Sequence, residues 1–178
     1  LVLETVLLIG TGVQAKAHLE ALNTLYPGLI VYIQCRSFER VSTLIKSNAY
    51  PALQLRVAPL EPFEPDVVIT VTSSQSVLYD EPPVSTRLVI GVGAYRPEMI
   101  EIGPIIVKGS TCIVDDPIGA PSEAGDILQA AKDWRQVKPL AAYLTGEKKP
   151  EEPVFFKSVG CAAWDLAACR LARKTFRM

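Results

Sequence analysis

The apolar positions of this chain fall into short unbroken runs, and the stretches between them carry helical spacing. Val6–Ile9 and Leu29–Cys35 (LIVYIQC) are continuous runs, the pattern of strands buried on both faces within a parallel sheet. Leu53–Val57, Val67–Thr72, Leu88–Val92 and Cys112–Val114 repeat that pattern, and Val154–Phe156 is a candidate last strand. A first helix runs to Leu22. A second starts after Ser37, a residue able to cap it, and reaches about Ser47 with Val41, Leu44 and Ile45 on its apolar side. A third spans Ser122–Ala131. Pro59, Pro62 and Pro65 mark a loop, because proline lacks a donor and restricts its neighbour. Lys148–Pro153 (KKPEEP) reads as a solvated loop and not a domain linker. Strands alternating with helices predict a doubly wound, mostly parallel α/β sheet with helices on both faces and no internal repeat.

The final helix, Ala162 to about Arg173, breaks the amphipathic rule. Trp164, Ala167, Ala168 and Leu171 form one stripe, while Ala163, Leu166 and Cys169 leave other faces apolar. A helix apolar nearly all round is expected to be buried. The pattern alone leaves two readings open: a helix tucked onto this sheet, or one that contacts something beyond it.

Chemistry concentrates first at Gly10-Thr11-Gly12-Val13-Gln14-Ala15, a GxGxxA turn joining the first strand to the first helix. Gly10 permits the tight turn, Gly12 removes a side chain that would hold a pyrophosphate away, and Ala15 lets helix and strand pack closely. The helix N-terminus offers free N–H groups and a positive dipole end to phosphates. The strand before and the helix after are the context such a motif requires, which makes this a Rossmann-type dinucleotide site. The second strand ends in Cys35-Arg36-Ser37, with the nearest acid, Glu39, already inside the following helix. An acid at that place would take ribose hydroxyls. Arg36 can instead pair with a 2′-phosphate and Ser37 can donate to it, favouring NADP(H) over NAD(H).

Ligands of open α/β sheets lie outside the carboxyl ends of the strands. Thr70, Thr72, Ser73 and Ser74 close the fourth strand there, toward the nicotinamide half, and Val92 and Gly93 end the fifth beside them. Small residues in Gly91–Ala94 allow a flat ring to approach the backbone. Ser158 and Val159 reach the same crevice if Val154–Phe156 joins the sheet. Lys157 is expected to be solvated, as lone lysines usually are. Asp115 and Asp116 are expected to cap the turn after the sixth strand.

Composition narrows the class. With 178 residues, 49% hydrophobic and a formal net charge of −1, the chain suits one globular domain and presents no basic nucleic-acid surface. No apolar run approaches the ~20 residues of a membrane span, and there is no secretory signal pattern. Cys35, Cys112, Cys161 and Cys169 form no CxxC pair, so reduced thiols in a cytoplasm are expected. One histidine, His18, makes a His-based metal site unexpected, and His18 itself reads as a surface or packing residue.

Four motifs in order, GTGVQAKAHLEAL, GVGAYRPEM, DDPIGAPSEAGDILQA and FKSVGCAAWDLAA, resemble the ornithine cyclodeaminase/mu-crystallin family over nearly the whole chain. Within it the chain is most similar to bacterial reductases of Δ1-pyrroline-2-carboxylate and Δ1-piperideine-2-carboxylate. The resemblance implies a homodimeric protein in two parts. Residues 1–160 would be the dinucleotide-binding Rossmann domain, and 161–178 would pack on an N-terminal substrate and dimerisation portion absent from this chain. The start at Leu1, immediately before a core strand, agrees with such a fragment. The implied chemistry is reduction of a cyclic imine to proline or pipecolate. The carboxylate-holding arginine and lysine belong to the N-terminal portion, so no catalytic residue is assigned here and the isolated chain is expected not to turn over. The family's lyase branch, the NAD-dependent ornithine cyclodeaminases, carries an aspartate where this chain has Tyr95, and a phenol of pKa ~10 is a poor proton carrier in its place. A non-catalytic, crystallin-like NADPH-binding protein is the third reading.

Overall fold

Among the described residues, eight parallel strands form the central sheet in the order β3-β2-β1-β4-β6-β10-β8-β9. In chain order these are β1 (Thr5–Ile9), β2 (Ile30–Gln34), β3 (Gln54–Val57), β4 (Val67–Thr70), β6 (Leu88–Gly91), β8 (Thr111–Val114), β9 (Lys138–Pro139) and β10 (Val154–Lys157). A second, two-stranded parallel sheet pairs β5 (Gln75–Tyr79) with β7 (Ile100–Ile102). The computed structural model describes residues 3–144, 146, 149–151 and 153–176. Lys148 and Glu152 of the KKPEEP loop, and the last two residues of the 161–178 tail, lie outside them.

The unbroken apolar runs are explained by two cores, one on each face of the sheet. Successive strand residues point to opposite faces. Val6 and Leu8 therefore enter one core with Ala15 and Leu19 of α1 (Val13–Leu25) and Val41 of α2 (Phe38–Lys46). Leu7 and Ile9 enter the other, with Phe155 of β10, Ile106 and Val107 of α3 (Pro104–Gly109), and Ile127. Helix α2 starts where the capping residue predicts: the Ser37 hydroxyl oxygen accepts the Arg40 N–H at 3.3 Å.

Two details correct the sequence-based expectations. The Ser122–Ala131 helix is two short pieces, α4 (Ala120–Glu123) and α5 (Gly125–Gln129). Gly125 is where the chain turns, so close to the Arg96 and Met99 carbonyl oxygens that a Cβ there would collide with them. The fourth strand stops at Thr70, not Thr72. The candidate last strand forms as Val154–Lys157 and joins the sheet between β6 and β8. The elements β5, β7, β9 and α3 have no counterpart among the sequence-based expectations.

After the short helix α6 (Ala141–Leu144), the last element is α7 (Ala162–Thr175). None of its residues is buried, and Trp164, Leu166 and Leu171 are each about half or more exposed. The helix is therefore not buried against this sheet. Its described side-chain tie to the domain is the Trp164 indole N–H, which donates to Asp115 at 3.3 Å. Among the described residues no helix is long and apolar enough to cross a membrane.

Candidate functional site

The strand order reverses about β1: the chain moves outward through β2 and β3, then returns to place β4 on the other side of β1. Such a switch point opens a crevice at the carboxyl ends of the strands. A cleft of about 740 Å³ lies there, lined by Gly10–Gly12 after β1, Cys35, Arg36 and Arg40 after β2, and Val71–Ser74 after β4.

Gly10 adopts φ +128, which L side chains rarely tolerate, and an added Cβ would stand 3.0 Å from the Val71 carbonyl oxygen. Gly12 is the N-cap of α1, has no side-chain cap, and faces open space where its Cβ would be. The first N–H groups of α1 have no partner within the helix, and no acid occupies its first turn. Val13, 85% exposed, and Gln14 form that first turn. This end of the cleft is therefore a positive, unobstructed concavity.

The rim beyond β2 is also positive. Arg36 and Arg40 both line the cleft, and among the described residues its lining includes no acid and neither arginine is in an ion pair. Ser37 uses its oxygen to cap α2, leaving its hydroxyl proton free. Burial alone would raise the Cys35 thiol, but the Ser37 backbone N–H, the Thr11 hydroxyl 3.3 Å away and the Arg40 charge together bring it below the ordinary cysteine value. Arg40 is a lining residue that the sequence argument missed. Its place one turn inside α2 was the available signal.

At the other end the residues change character. Thr72, Ser73 and Ser74 line the cleft, but Thr70 does not: it is fully buried and its hydroxyl donates to Glu101 Oε2 at 3.0 Å. The same carboxylate accepts from the backbone N–H groups of Thr72 and Gly93. Burial pushes the Glu101 carboxyl above the usual range, against the pull of these hydrogen bonds and of the Lys157 charge. Asp126 Oδ1 accepts from the Glu101 and Ile102 backbone N–H groups at 2.7 and 2.9 Å, while its Oδ2 lies 3.0 Å from Lys157 Nζ. Glu101, Asp126 and Lys157 are all 0% exposed. The expectation of a solvated Lys157 is corrected here: its position at the end of the central strand β10 leaves it no path to water.

Ser158 and Val159 sit one strand farther along. The Ser158 hydroxyl donates to Asp115 Oδ2 at 2.7 Å, and the Val159 and Gly160 N–H groups donate to the same carboxylate. These donors, with the Trp164 indole, overcome the effect of burial and hold Asp115 below the usual carboxylate range. Asp115 also accepts the Asp116 N–H, and Asp116 accepts that of Ile118, so both acids cap the turn as expected. The structure thus gathers Gly10, Thr11, Gly12, Arg36, Thr72, Ser73 and Ser74 around one cleft. Gly93 packs against Thr72, Val92 donates its N–H to the Thr70 carbonyl, and Ser158 and Val159 turn toward Asp115.

With this geometry in place, comparison with known proteins is decisive. The sequence profile of the ornithine cyclodeaminase/mu-crystallin family matches residues 3–177. The chain belongs to this family. Among curated relatives, the Δ1-pyrroline-2-carboxylate/Δ1-piperideine-2-carboxylate reductase of Azospirillum brasilense is 44% identical over 172 residues, covering 94% of this chain and 55% of that protein. A Δ1-pyrroline-2-carboxylate reductase of Burkholderia ambifaria is also 44% identical with the same coverage. Among solved structures, the Thermococcus litoralis Δ1-pyrroline-2-carboxylate reductase in complex with NADH and L-proline superposes with a TM-score of 0.80 at 21% identity, covering 96% of this chain and 57% of that one. The chain spans about half the length of the curated relatives it matches. What it shares with the ornithine cyclodeaminase/mu-crystallin family is the Rossmann-type fold that carries the cleft.

Proposed function

We propose that this chain is the nicotinamide-dinucleotide-binding domain of an imine reductase that converts Δ1-pyrroline-2-carboxylate or Δ1-piperideine-2-carboxylate to proline or pipecolate. The observation that carries the reading is the cleft at the β1/β4 switch point, with bare helix N–H groups at one end and buried carboxylate-tied backbone at the other. Open space at Gly12 admits a pyrophosphate, so the residues present fit the group. Arg36, with the Ser37 hydroxyl, would hold a 2′-phosphate, which favours NADPH over NADH. Thr72, Ser73, Ser74, Val92 and Gly93 would bound the nicotinamide half, and Ser158 and Val159 the outer edge of the crevice. When bound, the cofactor supplies the hydride; this chain's part is to orient it and keep water from one face. The reductase names of the 44% identical relatives support the substrate class. Tyr95 supports reduction over the lyase reaction: it is an exposed phenol with the Arg96 guanidinium 5.6 Å from its ring, in place of a carboxylate.

Residues 1–160 form the dinucleotide-binding domain in this reading. The tail 161–178 packs on a substrate and dimerisation portion of a cytoplasmic homodimer, and the bare apolar surface of α7 supports that arrangement. Turnover is assigned to the assembled protein, not to this chain alone.

The test is a titration of the purified chain with NADPH and NADH, followed by nicotinamide fluorescence at fixed salt. Tighter NADPH binding that Arg36→Ala abolishes is the expected result. Preference for NADH would overturn the 2′-phosphate assignment and return the lyase branch to consideration. Binding of neither would overturn the cofactor reading for this chain.

A further inference from the structure

The buried charges Glu101, Asp126 and Lys157 touch no solvent, and the proposed function does not use them. Three buried ionic groups are an expensive way to stabilise a fold, since an apolar trio of similar volume often does as well or better. What apolar side chains cannot do is accept two backbone N–H groups that face each other where a sheet ends. That is the task Glu101 performs. Strands β4 and β6 are paired up to Thr70 and Gly91, and beyond those residues the ladder stops. Thr72 and Gly93 then rely on the Glu101 carboxylate, which takes one N–H on each oxygen and the Thr70 hydroxyl besides. The two turns are in such close contact that a Cβ on Gly93 would stand 1.9 Å from the Thr72 carbonyl oxygen.

Glu101 does not belong to the central sheet. It reaches over the ends of β4 and β6 from β7, and β7 is fixed in turn by Asp126, whose other oxygen meets Lys157 of β10. Gly91 also accommodates this array, since a Cβ there would stand 3.3 Å from Asp126 Oδ2. Gly93, Asp126 and Lys157 each come from a different one of three motifs far apart in the chain, GVGAYRPEM, DDPIGAPSEAGDILQA and FKSVGCAAWDLAA. The array physically joins them, and its outward end is the Thr72 backbone that lines the cleft.

We infer that Glu101 is a positioning residue for the nicotinamide half of the cleft, its carboxylate pinning the Thr72 and Gly93 backbones into one floor, with Asp126 and Lys157 holding it there. The inference rests on the dinucleotide reading and deepens it. The adenosine half, built from Gly10–Gly12 and Arg36, stands on β1 and β2; Gly10 packs against Val71 and Thr72, but none of Gly10, Thr11, Gly12 and Arg36 bonds to Glu101, Asp126 or Lys157.

Two ligands separate the halves: NADPH, and 2′-phospho-ADP-ribose, which lacks the nicotinamide. Both are titrated by calorimetry against the unsubstituted chain, Glu101→Gln and Thr70→Val, with urea midpoints measured alongside. Glu101→Gln keeps the size of the side chain but turns one acceptor into a donor facing a backbone N–H. It is expected to weaken NADPH binding by about tenfold or more while leaving 2′-phospho-ADP-ribose within about twofold, and to abolish the nicotinamide emission gain. Thr70→Val, which removes one of the three donors to Glu101 and keeps its charge, should shift the same ratio in the same direction by less. If Glu101→Gln does not fold, Thr70→Val decides. Equal weakening of both ligands would mean a general structural role and would overturn the inference, as would unchanged NADPH binding in a folded variant. Failure of the unsubstituted chain to bind either ligand would instead overturn the dinucleotide reading, and this inference with it.

Discussion

The two ends of the cleft achieve the same result, a fixed array of backbone N–H groups, by opposite means. At β1 and β2 the groups are presented to solvent by a helix start and a glycine turn, and the charged side chains around them are exposed arginines. At β4, β6 and β10 the groups are already taken by a carboxylate, and the charges are sealed from water. The first end is assembled within one stretch of sequence and waits for an anion. The second is assembled from five elements and is complete without a ligand. The comparison teaches that a local motif suffices where a ligand will satisfy the open valences, whereas a preformed floor needs long-range partners.

The sharpest way to break this contrast is to remove the buried cation. Lys157→Met leaves Asp126 uncompensated, and a urea titration should show a loss of about 3–5 kcal/mol. A loss below about 1 kcal/mol would mean the array is solvated enough to relax, and the contrast would fall. At the exposed end the largest effect comes from the backbone. Gly10→Ala forces a side chain into φ +128 against Val71 and should cost about 1–3 kcal/mol, read from the same unfolding curve.

Acid should act on carboxylates that the native state holds below their ordinary values. Asp66 accepts the Glu4 and Thr5 N–H groups and the Thr5 hydroxyl at the start of β1, and like Asp115 it is lowered once these bonds outweigh burial. A lowered folded value means the stabilisation is complete above the unfolded value of about 4 and is lost as pH falls through the folded one. Thermal midpoints should therefore decline from pH 5 downward. Asp66→Asn should flatten that decline, and an unchanged slope would sink the assignment. The smallest effect on stability belongs to Arg36→Ala, within about 0.5 kcal/mol, because an exposed unpaired side chain holds nothing in the fold together. Its whole consequence should appear in the choice between NADPH and NADH.

The same division decided what could be read in advance. Strands β1–β4, β6, β8 and β10, helices α1 and α2 with its Ser37 cap, and the Gly10–Gly12 turn follow from periodicity and neighbouring residues, and these were legible; β5, β7 and β9 were not. The role of Glu101 was not. Ile100-Glu101-Ile102 has three residues, too short for a period, and only folding brings it within reach of Thr72 and Gly93. Lys157 was misread for a related reason: burial of a lysine depends on which strands flank it, and β10 joins β6 and β8 through contacts no local window contains. Helix α7 shows the reverse. Its apolar faces were plain in the sequence, yet none of its residues is buried against the sheet.

The position of β10 also makes the continuity of the sheet depend on one strand. Strands β6 and β8 do not pair with each other; each pairs with β10, which follows both of them in the chain. Until Val154–Lys157 arrives, the sheet exists as two unconnected pieces, each with an open apolar edge able to accept a foreign strand. The insertion of β10 pairs Val154 with both Leu88 and Thr111 and seats Lys157 beside Asp126, contacts between residues distant in the chain of the kind that form slowly. A chain whose β10 is not inserted presents those edges and is open to aggregation through them.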